Sequence, residues 1–174
     1  MPLFYEDYEN LELGHTWRTS ARTITQEEVN NFAAVTGDDN PIHVDLDYAK
    51  KSSYGGAIVH GYLTISSAAG LVYQLGLDKI SSHAILSTNW TLTKAVECGE
   101  AIHVILTLLT HRTSKSQPTY GIITRRYTVL NQREETVALG EVTMLILRRS
   151  HSVGQNDLTL REHPVAKERL DDET

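Results

Sequence analysis

Residues 57–77 read AIVHGYLTISSAAGLVYQLGL and contain no Asp, Glu, Lys or Arg. A run this long without charge is either a membrane span or the buried helix of a folded domain. His60, Thr64, Ser66, Ser67, Gln74 and three glycines dilute it too far for a good spanning helix. The expectation is a buried helix starting near Gly61 and ending at about Gly76. Ser66, Ser67, Ala68, Ala69 and Gly70 are small, so another layer can approach the helix axis closely. A helix that is apolar or small nearly all round is expected to be surrounded, not merely covered on one face.

Downstream, the pattern changes. Residues 85–93, 102–110, 120–130 and 137–147 are rich in Val, Ile, Leu, Thr and Tyr, with turn-forming stretches at 97–100, 114–118 and 131–134. They are expected as four strands of an antiparallel meander. Upstream, residues 1–20 mix aromatics with acids and read as an irregular or strand-containing lead-in. Thr25 and Glu28 then have the spacing of a capping box, with Ile24 and Val29 placed for a hydrophobic staple. Gly37 is placed to end that helix. A short helix from Asp47 is expected to stop at Gly55-Gly56. Helices then strands is an α+β order, and a curved antiparallel sheet wrapped around one central helix satisfies it.

The 174 residues carry a formal charge of −6, with 40% hydrophobic and 22% charged residues. This composition fits a globular protein and excludes a disordered or collagen-like one. One domain is expected over residues 1–149, followed by a polar, charged tail over 150–174. Cys98 is the single cysteine, so no intrachain disulfide is possible and a reducing compartment is the simplest reading. With no basic n-region or apolar h-region at the start, a cytoplasmic location is expected. Basic residues occur as short pairs, such as Lys50-Lys51, Arg125-Arg126 and Arg148-Arg149, not as a long stripe, which argues against a nucleic-acid partner. No membrane partner is expected either.

Two places can carry chemistry. The first is Gly37-Asp38-Asp39-Asn40-Pro41-Ile42-His43. A carboxylate and an imidazole five residues apart, across a Pro-kinked loop, can both point at one small volume. An acid and a base around one water are a general acid–base apparatus. On residues alone, an Asx-rich turn with a capping aspartate and a surface histidine fits at least as well. The second place is Val59-His60-Gly61 at the start of the uncharged helix. Free N–H groups there favour developing negative charge, and Gly lets a carbonyl approach the backbone. His43, His60, His83 and His103 can be imagined as metal ligands, but no HExxH or paired-Cys pattern exists, and no metal is expected. The tyrosines Tyr5, Tyr8, Tyr48, Tyr54, Tyr62 and Tyr73 are expected in the core and pocket wall.

Taken together, Gly37-Asp38-x-Asn40-Pro41-x-His43 and the later Ile58-Val59-His60-Gly61 resemble the hydratase motif of MaoC-like proteins, the (R)-specific enoyl-CoA hydratases of the hot-dog fold. Phe4-Tyr5-Glu6-Asp7 and Arg22-Thr23-Ile24-Thr25 are similar to that family as well. The resemblance covers about residues 4–149. It implies a single hot-dog domain in which Asp38 and His43 are catalytic and hold a water beside the double bond of a trans-2-enoyl thioester. Gly61 N–H would bind the thioester oxygen, while Asn40 and His60 support the loop. No metal or organic cofactor is implied. The partner is an acyl-CoA or acyl carrier protein thioester, and a homodimer or higher homo-oligomer is implied by edge-to-edge pairing of sheets. Gly55-Gly56-Ala57 departs from the bulkier Arg-Pro step of many relatives.

Two rival functions share the fold. Hot-dog thioesterases commonly use a carboxylate on or near the central helix, and Gly61 to Leu77 carries none. A non-catalytic acyl-thioester-binding protein would not need Asp38 or His43.

Overall fold

The computed structural model describes residues 2–151. In chain order the elements are α1 (Tyr5–Glu9), β1 (Thr16–Arg18), β2 (Arg22–Thr23), α2 (Gln26–Thr36), α3 (Pro41–Val44), α4 (Leu46–Lys51), α5 (Gly61–Gln74), β3 (Ser82–Leu92), β4 (Ala101–Thr113), β5 (Tyr120–Asn131) and β6 (Thr136–Leu147). The hot-dog arrangement is present: one six-stranded antiparallel sheet with α5 packed against it. Among the described residues no helix is long and apolar enough to cross a membrane. A 3-10 turn, Arg149–His151, follows β6, so the tail expected from 150 lies almost wholly outside the described residues.

The meander is only partly present. β4, β5 and β6 are successive neighbours, but β3 pairs with β6 at the far edge, giving the order β1-β4-β5-β6-β3. The chain between β3 and β4 therefore crosses the end of the sheet instead of making a hairpin. In the lead-in, residues 5–9 form a helix that escaped the sequence pattern, its Asp7 carboxylate accepting from Phe4 N–H at 2.7 Å. β1 is a strand of the kind that pattern allowed, and β1 and β2 both add to β4. α4 ends at Lys51, ahead of the Gly pair.

The capping signals of α2 are realised. Thr25 accepts from Glu28 N–H, Glu28 accepts from Thr25 N–H at 2.8 Å, and Gly37 closes the helix in the left-handed region at φ 78°. That backbone hydrogen bond, with the nearby Arg22 guanidinium, holds the Glu28 carboxyl below its ordinary range. Ile24 and Val29 are fully buried in one core cluster with Ala68, Leu71 and Val72 of α5 and Val104, Leu106, Tyr127 and Val129 of the sheet. A second cluster joins Tyr5 and Tyr8 to Leu108, Ile123, Met144 and Ile146. Gly121 is required here, because a Cβ would fall inside the Tyr5 ring.

α5 is not surrounded within one chain. Thr64, Ser67, Ala68, Leu71 and Val72 are buried, whereas Tyr62, Ser66, Ala69, Gly70 and Tyr73 form an exposed stripe. The tyrosine expectation divides likewise: Tyr5 and Tyr8 are core, but Tyr48, Tyr62 and Tyr73 are exposed. Helical periodicity shows that a residue is apolar or small; it does not show how many layers meet the helix.

The end of α5 is tied to the sheet by a buried ion pair. Asp78 accepts from Arg125 Nη2 at 3.0 Å, and both side chains are below 10% exposed. Arg125 also donates to the Tyr8 hydroxyl at 3.4 Å. Removing one partner leaves a buried charge uncompensated, so Asp78→Ala is expected to lower unfolding free energy by about 3–5 kcal/mol, measured by chemical denaturation.

Candidate active site

The site is assembled from two backbone segments. Residues 38–44 leave α2 after Gly37 and turn through α3, a single helical turn started by Asn40 and Pro41. Asn40 is the N-cap: its Oδ1 accepts from Ile42 N–H at 3.2 Å, and Pro41 occupies a position where the missing N–H costs nothing. Asp45 caps α4 by accepting from Asp47 and Tyr48 N–H, both at 3.0 Å. The second segment, residues 57–61, runs beside residues 96–98. Val59 N–H donates to Val96 O at 2.8 Å, and Cys98 N–H donates to Ala57 O at 3.0 Å. That short ladder delivers His60 to the N-cap of α5 and Gly61 to its first turn.

His43 and His60 bind these segments to each other. His43 Nδ1–H donates to Ile58 O at 2.7 Å. A carbonyl only accepts, so Nδ1 bears the proton and Nε2 carries a free lone pair. His60 Nε2–H donates to Asp38 O at 2.8 Å. The two rings stack, with centroids 3.9 Å apart and planes 29° from parallel. Gln26, in the first turn of α2, donates to His43 O at 2.8 Å. Gln26 was not singled out from the sequence, and Ile58 only as a motif residue; a side chain meeting a distant carbonyl leaves no spacing signal.

Asp38, His43 and His60 each bring one ligand-type atom within 4.8 Å of the others. Asp38 is exposed, His43 half-buried and His60 buried. This is also the group among the described residues that metal-ligand geometry would select. His83, on β3, stacks against Tyr120 instead, and His103, on β4, lies near Glu134. His43 Nδ1 is spent on Ile58 O and His60 Nε2 on Asp38 O, and the remaining His60 nitrogen, Nδ1, is buried. A carboxylate and an imidazole this close can hold a water between them.

A cavity of about 320 Å³ adjoins His43, its wall also including Tyr54, Gly61, Thr64, Leu92 and Lys94. Asp38 is not part of that wall; its carboxylate meets the histidines from the exposed loop. Asp39 is exposed. Gly61 is at the first position of α5, where a backbone N–H has no intrahelical acceptor. A Cβ at Gly61 would meet the tip of the exposed Leu92 side chain, which would have to turn aside.

The MaoC like domain family matches residues 9–129. The chain belongs to this family. Over 104 residues it is 34% identical to Protein MaoC of Klebsiella aerogenes, covering 60% of this chain and 31% of that protein. Over 66 residues it is 39% identical to the (R)-specific enoyl-CoA hydratase of Aeromonas caviae, covering 38% of this chain and 48% of that one. The chain thus matches less than half the length of these two curated relatives. The MaoC-like dehydratase structure from Rhodospirillum rubrum superposes with a TM-score of 0.73 at 28% identity, covering 84% of this chain and 98% of that one. Two of these relatives are named for an activity, one as a dehydratase and one as a hydratase, and the family match includes the whole of the loop and helix start described above.

Because Asn40 organises the turn between Asp38 and His43, Asn40→Ala is expected to cost about 1 kcal/mol through loss of the cap. Thermal unfolding measures that cost, and a fall in turnover larger than it explains would mark displacement of His43.

Proposed function

We propose that this MaoC-like chain is a hydro-lyase that reversibly hydrates a trans-2-enoyl-CoA to an (R)-3-hydroxyacyl-CoA. The observation that carries the reading is the His43 Nδ1 contact with Ile58 O, at 2.7 Å. With Nδ1–H committed there, Nε2 is left to act as the base; His43 lines the cavity, and one of its ring nitrogens lies within 4.8 Å of an Asp38 carboxylate oxygen. Water held between Asp38 and His43 gives a proton to His43 Nε2 as its oxygen bonds to the β-carbon. The alkene electron pair moves toward the thioester, and the growing negative charge on oxygen meets Gly61 N–H at the start of α5. The proton that His43 Nε2 received then passes to the α-carbon from the same side, so both parts of the water are added and His43 is regenerated; dehydration is the reverse path. Asn40 and His60 hold the loop. No metal or organic cofactor takes part in the proposed step, and the acyl carrier is the substrate's own CoA or an acyl carrier protein.

Loss of the conjugated thioester absorbance with crotonyl-CoA tests the reaction. Asp38→Asn and His43→Gln are each expected to lower turnover by about 10²–10⁴-fold with thermal stability retained. Hydration at near wild-type rates by both variants would overturn the reading. Free thiol released without hydration would point to a thioesterase, although α5 carries no acid.

The same reading includes a homodimer. β3 is an edge strand with exposed Ile85 and Leu92, and it lies at the open side of the sheet. Pairing two such edges protects their free N–H and C=O groups. Leu92 also belongs to the cavity wall, so the edge and the site are contiguous. Light scattering after size exclusion is expected to give at least twice the 19.5 kDa chain mass. A proline in place of Thr88, mid-strand on β3, is expected to shift it toward the monomer.

A further inference from the structure

We propose that His60 is a positioning residue that sets the mutual placement of acid, base and oxyanion donor through two separable contacts, a hydrogen bond and a ring face. This rests on the hydratase reading and deepens it. His60 is 1% exposed, between the Phe32 ring at 5.0 Å and the His43 ring at 3.9 Å. Its Nε2–H holds Asp38 O. The residues around that carbonyl, Gly37 through Pro41, are all exposed. Asp38 N–H reaches only as far as Thr36 Oγ1, at 3.3 Å, a contact within the same turn. The bond from His60 therefore spans from the α5 start to the loop that carries the carboxylate.

The remaining contacts extend this role. The His60 face bears the imidazole of His43, whose own N–H returns to Ile58 O. The His60 carbonyl accepts from Thr64 N–H at 3.0 Å and from Thr64 Oγ1 at 3.3 Å, starting α5 and so orienting Gly61 N–H. One feature argues against a purely packing role. His60 Nδ1 is buried with no hydrogen-bond partner among the described residues. A bare buried acceptor destabilises the fold, and Phe or Leu would avoid it. What histidine adds over those residues is the Nε2 donor, and that donor ends on Asp38.

Three variants separate the contacts. His60→Gln keeps a donor near the Nε2 position and loses the ring. His60→Phe keeps the ring and loses the donor. His60→Leu loses both. Each of the first two is expected to lower kcat on crotonyl-CoA by about 10-fold, and His60→Leu by about 100-fold, with KM within about twofold because His60 does not line the cavity. His60→Phe is expected to melt at or above the wild-type temperature while turning over more slowly, a combination that a merely structural role would not give. Wild-type kcat in His60→Phe and His60→Leu overturns the proposal, even with Asp38→Asn and His43→Gln inactive. If those two variants were active instead, the hydratase reading itself would fall. Should the His60 variants not fold, or crotonyl-CoA not be turned over, nitrogen-15 NMR of the imidazoles in the wild-type chain decides. His60 protonated at Nε2 and His43 at Nδ1 support the proposal, and His60 protonated at Nδ1 alone overturns it.

Discussion

Two histidines exchange carbonyls across one contact, and the candidate site is built on that exchange. His43 leaves the α3 turn and donates to Ile58 O; His60 leaves the α5 start and donates to Asp38 O. Each bond closes a different path between the same two segments, so neither segment can slide without breaking one. Each also assigns a ring proton, because a carbonyl offers no donor in return. The ring stack fills the space between the two bonds. Individually such bonds contribute about 1 kcal/mol, but here their value lies in orientation.

The rest of the fold holds those segments where the exchange can form. The ladder from 57–59 to 96–98 fixes the entry to α5, and the capping box fixes the entry to α2. Gly37 then turns the chain sharply into the loop. Behind them, α5 is anchored along its length by the core and past its C-terminus by Asp78 on Arg125. Polar residues buried at that point specify where the helix end sits on the sheet, something an apolar contact defines less sharply. The opposite face of α5 and residues of the β3 edge remain exposed in the single chain, and Leu92 of β3 is also part of the cavity wall.

Local features were legible. Thr25 and Glu28, Ile24 and Val29, and Gly37 all act within four or five residues of themselves, and their spacing states what they do, whereas the helical turn at Pro41–Val44 stands where a loop was expected. The motif located Asp38, His43, His60 and Gly61 as the residues worth bringing together. The edge position of β3, the helical turn at 5–9 and the solvent face of α5 were not legible. β3 pairs with β6 across more than 40 residues, and nothing in the alternation of either strand names its neighbour. The exposed Tyr62 and Tyr73 look, in sequence, like any other core aromatic.

By itself the sequence determined the four long strands, the two ends of α2, the start of α5 and the few side chains that the motif marks. Those properties depend on backbone propensity, capping and spacing, all short-range. Only the tertiary structure decided the strand order, the tautomers of His43 and His60, and the cavity beside Gly61. Each of these depends on a partner brought from 15 or more residues away: Ile58 O for His43, Asp38 O for His60, Leu92 for the wall. A ring nitrogen takes its role from the atom it meets, and that atom is supplied by the fold.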